Sequence, residues 1–389
     1  MNEQLFYPTK IIVGDSIYQK ISNILNFSCS KILIITGKES MNKAGVIATL
    51  KKNLQENQKE VMVLPNVDRN PTDIQVDEIS KINKKFKADC IIGIGGTSSI
   101  DVAKIIGMLY ENGGNSWDYI NVKNRKAKKV LYESTPVIAI PTTSGGGSES
   151  TPYAVITNSK TKMKKGMKSK ELYPKIAIID TALLKLMPKD IVVNSGFDAF
   201  TQALEAFTSK NSNFISDFFA FTSINLILKN FEKSWNDKND INAKKNMSIA
   251  AFLSGLAISI TDTNLAHAMS HPLSAKYNIP HGIAVLLCTN QSILYNKTIM
   301  NSKYAQIAKL ITNDIRKENF ADVIITKIIS WAKKFNISLR LQDHGVPINS
   351  INDLVDDAIQ IGGILTNSRT IDKSELKKLF GKAYDGQII

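Results

Sequence analysis

The chain has 389 residues, 43% of them hydrophobic, which is too long for one ordinary core and too apolar for a disordered chain. Its 49 basic residues outnumber 35 acidic ones to give a net charge of +14, yet lysine far outnumbers arginine and no arginine-rich stripe or basic-aromatic interleaving occurs. That distribution argues against a nucleic-acid partner and leaves a small anionic substrate compatible with the charge.

Apolar runs at 31–36, 60–65, 90–95, 136–141 and 175–180 read as buried parallel strands, with helical spacing over 74–86 and 99–109 between them. The βαβ alternation predicts a doubly wound α/β domain over residues 1–190, with a dinucleotide or phosphate site at the strand carboxyl ends. The lysine-rich stretch 161–175 reads as a polar loop with one functional lysine. From 191 to 389, amphipathic spacing over 195–209, 215–231, 244–260, 301–310, 323–335 and 351–361 predicts an all-α domain. No linker marks the boundary, so the domains are expected to pack directly around a cleft. Cys29, Cys90 and Cys288 form no CxxC pair and are odd in number, which fits a reducing, cytoplasmic setting. Residues 1–10 lack a basic segment followed by an apolar run, and no stretch reaches membrane-spanning length, so no membrane partner is expected.

Three of the four histidines, His267, His271 and His281, fall within fifteen residues. On a helix His267 and His271 share a face, and His281 can return from the next turn or helix to complete a metal or acid-base site. Gly93-Ile-Gly-Gly-Thr-Ser-Ser-Ile-Asp-Val-Ala-Lys104 follows a strand and opens a helix, as a pyrophosphate-binding turn does. The same segment also suits a tight turn with Ser98 or Ser99 as N-cap. A second glycine- and hydroxyl-rich segment, 141–151, ends another strand, and two such loops at one sheet edge point to a dinucleotide. Asp198 and Gln202 lie four apart among apolar neighbours; a carboxylate there needs either an N-cap bond or a metal.

In this order the segments resemble the iron-containing (group III) alcohol dehydrogenase family, over essentially the whole chain. The resemblance implies a Rossmann-like domain followed by a helical one, the scaffold shared with dehydroquinate synthase. It implies metal ligation by Asp198, Gln202, His267 and His281, with Gln202 standing where the family has histidine, and a proton-relay role for His271. An amide is a poorer ligand than imidazole for iron or zinc, so the metal is expected to be held loosely. The cofactor would be contacted by Asn70, Gly95, Gly96, Thr97, Ser98, Asp101, Thr142, Thr143, Ser144, Gly147, Thr151 and Lys164. Gly37 stands where many NAD-using members carry an aspartate, and Lys38 could pair with a 2′-phosphate, which favours NADPH over NADH.

The expected activity is reversible hydride transfer between NAD(P)H and a small aldehyde, in a homodimer, with a divalent metal, iron or zinc, polarising the substrate oxygen. Gln202, together with the segments 209–213 and 259–267, resembles the phosphonoacetaldehyde reductase branch. A general short-chain alcohol dehydrogenase of butanol or propanediol type is the alternative, and a dehydroquinate-synthase-like lyase a further one.

Overall fold

A computed structural model describes residues 5–25, 27–122, 125–313 and 319–387; the first four residues of the N-terminal segment lie outside the described residues. The chain divides into two compact units, Phe6–Pro188 and a second running on from Lys189.

The first unit holds strands β1 (Lys10–Gly14), β2 (Lys31–Gly37), β3 (Glu60–Val67), β4 (Cys90–Gly95), β5 (Val137–Pro141), β6 (Tyr153–Thr157), β7 (Lys164–Lys168) and β8 (Ile176–Asp180). Six form a parallel sheet in the order β1-β8-β5-β4-β2-β3. Helices α1 (Val46–Glu56), α2 (Asp73–Phe86) and α3 (Thr97–Asn112) connect its strands. Because strand side chains alternate, Ile32 and Ile34 enter one core with Leu50 and Leu54 of α1, while Leu33 and Ile35 enter the other with Val76 of α2 and Val102 and Ile106 of α3. Both faces are thereby covered, which explains why the strands read as unbroken apolar runs rather than alternating ones. Each such side chain contributes about 1.5–3 kcal/mol on burial.

Two elements depart from the sequence reading. The edge strand β1 is a run of only three apolar residues, Ile11-Ile12-Val13, which the sequence reading did not single out, and at the sheet edge Ile11 and Val13 stay exposed. Residues 161–175 are not simply a polar loop: Lys164–Lys168 pairs antiparallel with Tyr153–Thr157, with Lys164 and Met167 buried and Gly166 and Lys168 exposed. Burial along this strand does not alternate, and four of its five residues are not apolar, so the sequence carries no period of two to mark it.

The second unit is helical: α4 (Lys189–Phe207), α5 (Phe214–Asn236), α6 (Ile241–Thr261), α7 (Leu265–Tyr277), α8 (His281–Asn296), α9 (Asn301–Ile311), α10 (Phe320–Lys334), α11 (Ile351–Ala358) and α12 (Lys373–Asp385). Periodicity was silent on α7 and α8 as whole elements. Nearly every residue of α8 is buried, Thr289, Asn290, Gln291 and Ser292 included, so no polar face contrasts with an apolar one, and α7 carries Pro272 in its interior. No single helix among the described residues is long and apolar enough to cross a membrane.

Candidate active site

In the helical unit, Asp198 lies in the middle of α4 rather than at its start, so the N-cap explanation for its burial is excluded. His267 lies in the first turn of α7 and His281 opens α8. Tertiary packing brings the three together: His267 Nε2 is 3.5 Å and His281 Nε2 3.8 Å from Asp198 Oδ1, and one ligand atom from each of the three lies within 4.8 Å of the others. Two ligands about 2.1 Å from an ion at the tetrahedral angle stand about 3.4 Å apart, close to these separations. Asp198 Oδ1 and His267 Nε2 are both buried without a hydrogen-bond partner, so the donor set fits a divalent cation. His271 adjoins the cluster, its ring centroid 5.8 Å from that of His281. Both of those histidines are half-buried, whereas His267 is enclosed.

Gly282 is the packing requirement behind this convergence. A Cβ there would stand 1.7 Å from the carbonyl oxygen of Asn194, so only glycine lets the start of α8 rest on α4, and the Ile283 N–H donates to Asn194 Oδ1 at 3.3 Å. Gln202, one turn beyond Asp198 on the same face of α4, is also buried. Its Nε2 donates to Ser254 Oγ at 2.9 Å, and Ser254 in turn donates to the Ala251 carbonyl at 2.8 Å. The serine can only accept from the amide, which fixes the amide's orientation; among the described residues no donor reaches Oε1, the atom able to act as a ligand.

The sequence reading missed Glu205. Its carboxylate accepts from the backbone N–H groups of Asn264 (2.9 Å), Ala266 (2.6 Å) and His267 (3.2 Å), and lies 2.6 Å from His267 Nδ1. One buried acid thus caps α7, where Asn264 makes no side-chain cap, and turns Nε2 of His267 toward Asp198. The available signal was spacing: Asp198, Gln202 and Glu205 stand at i, i+4 and i+7, one stripe of polar residues along the largely apolar second half of the helix. Burial pulls the His267 imidazolium down, but Glu205 and Asp198 more than reverse this and raise it to about 9. Two carboxylates facing one imidazole therefore call for positive charge, a proton or a metal ion.

In the first unit, the expected cofactor residues gather at the carboxyl ends of neighbouring strands. Gly37 ends β2, Gly95 ends β4, and Thr142 follows β5, its N–H donating to Gly95 O at 2.9 Å. Between β2 and β4 the strand order reverses, the position at which open α/β sheets bind ligands. Helix α3 begins at Thr97 with Gly96 as its cap residue and no side-chain cap, so the serine-cap alternative does not hold. Ser98 Oγ donates instead to Arg69 O at 2.6 Å, and the helix's first N–H groups suit an anion. A Cβ on Gly96 would approach Thr143, which places the two loops side by side. Asn70 and Lys164, ninety-four residues apart, meet at 3.0 Å through Oδ1 and Nζ.

One expected contact is corrected. The Asp101 carboxylate is buried and accepts from Ser148 Oγ and from the Val155 N–H (2.9 Å), so it does not face a bound dinucleotide. Lys38 is held by Asp68 at 2.6 Å, and Glu39 by Lys43; both pairs are exposed and correspondingly weak. Ser144 and Thr151 are buried, with Thr151 directed inward by its carbonyl.

The sequence profile described as iron-containing alcohol dehydrogenase matches residues 8–181, and that of the Fe-containing alcohol dehydrogenase family, C-terminal, matches 192–384. The chain belongs to the iron-containing alcohol dehydrogenase family. It is accordingly an NAD(P)-dependent oxidoreductase of a family that binds a divalent metal. It is 28% identical to the NAD-dependent methanol dehydrogenase of Bacillus methanolicus, over 97% of this chain and 99% of that one. It is 29% identical to the NADPH-dependent butanol dehydrogenase of Clostridium saccharobutylicum, over 97% of each. An archaeal halo-thermophilic alcohol dehydrogenase from a Red Sea brine pool superposes with a TM-score of 0.93 at 30% identity, over 98% of this chain and 99% of that structure.

Replacing Gly282 by alanine should force α8 away from α4 and destabilise the helical unit by about 1–3 kcal/mol or more. Thermal unfolding reads this directly, and an unchanged Tm would show that the close approach to Asn194 is not what holds His281 in place.

Proposed function

We propose that this enzyme interconverts short-chain aldehydes and alcohols with NADPH as the preferred reductant, and that Asp198, Gln202, His267 and His281 hold its divalent metal, iron or zinc. The observation that carries the reading is the buried Asp198–His267 pair, unsatisfied and flanked by His281. When bound, the metal supplies Lewis-acid polarisation of the substrate oxygen and the nicotinamide supplies hydride. Glu205 fixes the tautomer and orientation of His267, and Ser254 holds Gln202 so that its carbonyl oxygen is the ligand atom. His271, half-buried beside His281, delivers the proton that the product alkoxide needs in the reductive direction.

The preference for NADPH rests on charge. Gly37 offers no carboxylate, Glu39 is paired with Lys43, and Lys38 is free to leave its exposed partner Asp68 for a doubly charged 2′-phosphate. A Cβ at position 37 would meet only Ser99 Oγ at 3.9 Å and Val67 O at 4.0 Å, so an acid can be placed there without a clash. The relatives named for methanol and butanol support an uncharged short-chain substrate. Phosphonoacetaldehyde, suggested by Gln202, is the anionic arm of the same test.

The test is turnover of NADPH and NADH with uncharged and phosphonate-bearing aldehydes, before and after metal removal and re-addition. Activity with butanal that is lost with the metal and restored by iron or zinc is expected; faster turnover of the phosphonate aldehyde reverses the substrate assignment. Gly37→Asp should shift the cofactor ratio toward NADH, and wild-type protein that already favours NADH contradicts the charge argument.

Glu205→Ala should weaken the metal site about 10- to 100-fold by freeing His267 to rotate. Chelator competition measures it, and metal retention equal to wild type would remove Glu205 from the site.

A further inference from the structure

A buried lysine in the first unit has more partners than its own burial requires. Lys104 Nζ donates to Ser148 O at 2.8 Å, Ser148 Oγ at 3.1 Å, Thr151 O at 2.9 Å and Tyr153 O, all from one stretch of chain. Asp101, one turn earlier on α3, accepts from Ser148 Oγ with one oxygen and from the Val155 N–H with the other, and lies 4.0 Å from the ammonium. Segment 142–152 has no strand ladder to shape it, only a single 3-10 turn at Ser148–Ser150 after Gly147 at φ +62°. Its path is set from the α3 side.

We propose that Asp101 and Lys104 are positioning residues that tie together the three elements binding the dinucleotide. Thr97, Asp101 and Lys104 stand at i, i+4 and i+7, so the stripe of α3 that begins at the first glycine loop grips the second loop one and two turns further in. The contacts to Tyr153 O and Val155 N extend the grip to β6, whose partner β7 carries Lys164, the lysine that reaches Asn70. Neither Asp101 nor Lys104 touches the cofactor; both act through the backbone of the loop. The ammonium is the cation around which carbonyl oxygens of three residues converge, and a neutral side chain of similar length leaves those carbonyls without a donor. Burial pulls the Lys104 amine down to about 8, while Asp101 and Glu149 oppose that shift and favour its charged form.

The inference rests on the proposed dinucleotide site, and its test separates the two. Binding of NADPH and NADH to the metal-loaded protein is followed by nicotinamide fluorescence, with Tm and metal content measured in parallel, for wild type, Lys104→Met, the charge-neutral pair Lys104→Met with Asp101→Asn, and Ser148→Ala. Lys104→Met and the double variant should raise the cofactor Kd and KM about tenfold or more, with kcat at saturating cofactor and metal content nearly unchanged. Ser148→Ala, which removes only the hydroxyl link, should move Kd in the same direction by less. A fall in Tm with Kd within twofold of wild type would mean that the pair merely fills the core, and the inference is overturned. If the lysine variants do not fold, Ser148→Ala decides alone, and an unchanged Kd there overturns the inference as well. Wild-type protein that binds neither nucleotide overturns the proposed function, and this inference with it.

Discussion

Glu205 is the interaction on which the helical site depends. A carboxylate buried away from water is costly unless its oxygens are filled by donors, and here four N–H groups fill them, three from the backbone at the start of α7 and one from the His267 ring. The acid therefore does on the tertiary level what a local N-cap does elsewhere, and it makes the start of α7 inseparable from α4. His267 acquires its orientation in the same step. A first turn capped by a distant carboxylate is stabilised only where that carboxylate is in place, which couples local structure to the site's chemistry.

The sheet unit solves a different problem by similar means. Parallel strands carry every loop of interest to one edge, but loops at an edge have no ladder to hold them. Helix α3 supplies what the ladder cannot: its free N-terminus lies at the first loop, and its interior charges reach into the second. Both units thus bury charged groups beside their candidate sites, and in both the charges are satisfied by backbone donors or acceptors from segments that need a fixed path. Such groups are poor contributors to net stability compared with well-packed apolar ones, and their value lies in selecting a single conformation of the segment they hold.

Gln202 stands where the proposed metal site would take a ligand, and its surroundings orient its amide. An amide can present either end, and the wrong end would offer a donor to a cation. Ser254, with its own proton committed to Ala251, accepts only from the amide nitrogen and so leaves the carbonyl oxygen for the other direction. As a metal ligand an amide oxygen is weaker than imidazole, but this one is oriented.

By itself the sequence determined the class of each half, the five main parallel strands, the loops at their ends and the candidate ligands Asp198, His267 and His281, because these rest on local signals: apolar runs, glycine clusters and residue types with few alternative uses. It also carried enough motif order to place the chain in its family. Only the tertiary structure decided the rest. Asp101 binds the loop rather than the cofactor, Lys38 has Asp68 as its neighbour, β7 is a strand despite its lysines, and α7 and α8 are helices without an amphipathic face. Asp101 and Lys38 meet partners about thirty to fifty-five residues away, β7 depends on its pairing with β6, and α7 and α8 on burial from most sides, which removes the contrast between faces that periodicity needs. Which buried charge contacts a ligand and which merely holds the chain in place is set by what surrounds it, and one residue's neighbours in space are not written in its neighbours in sequence.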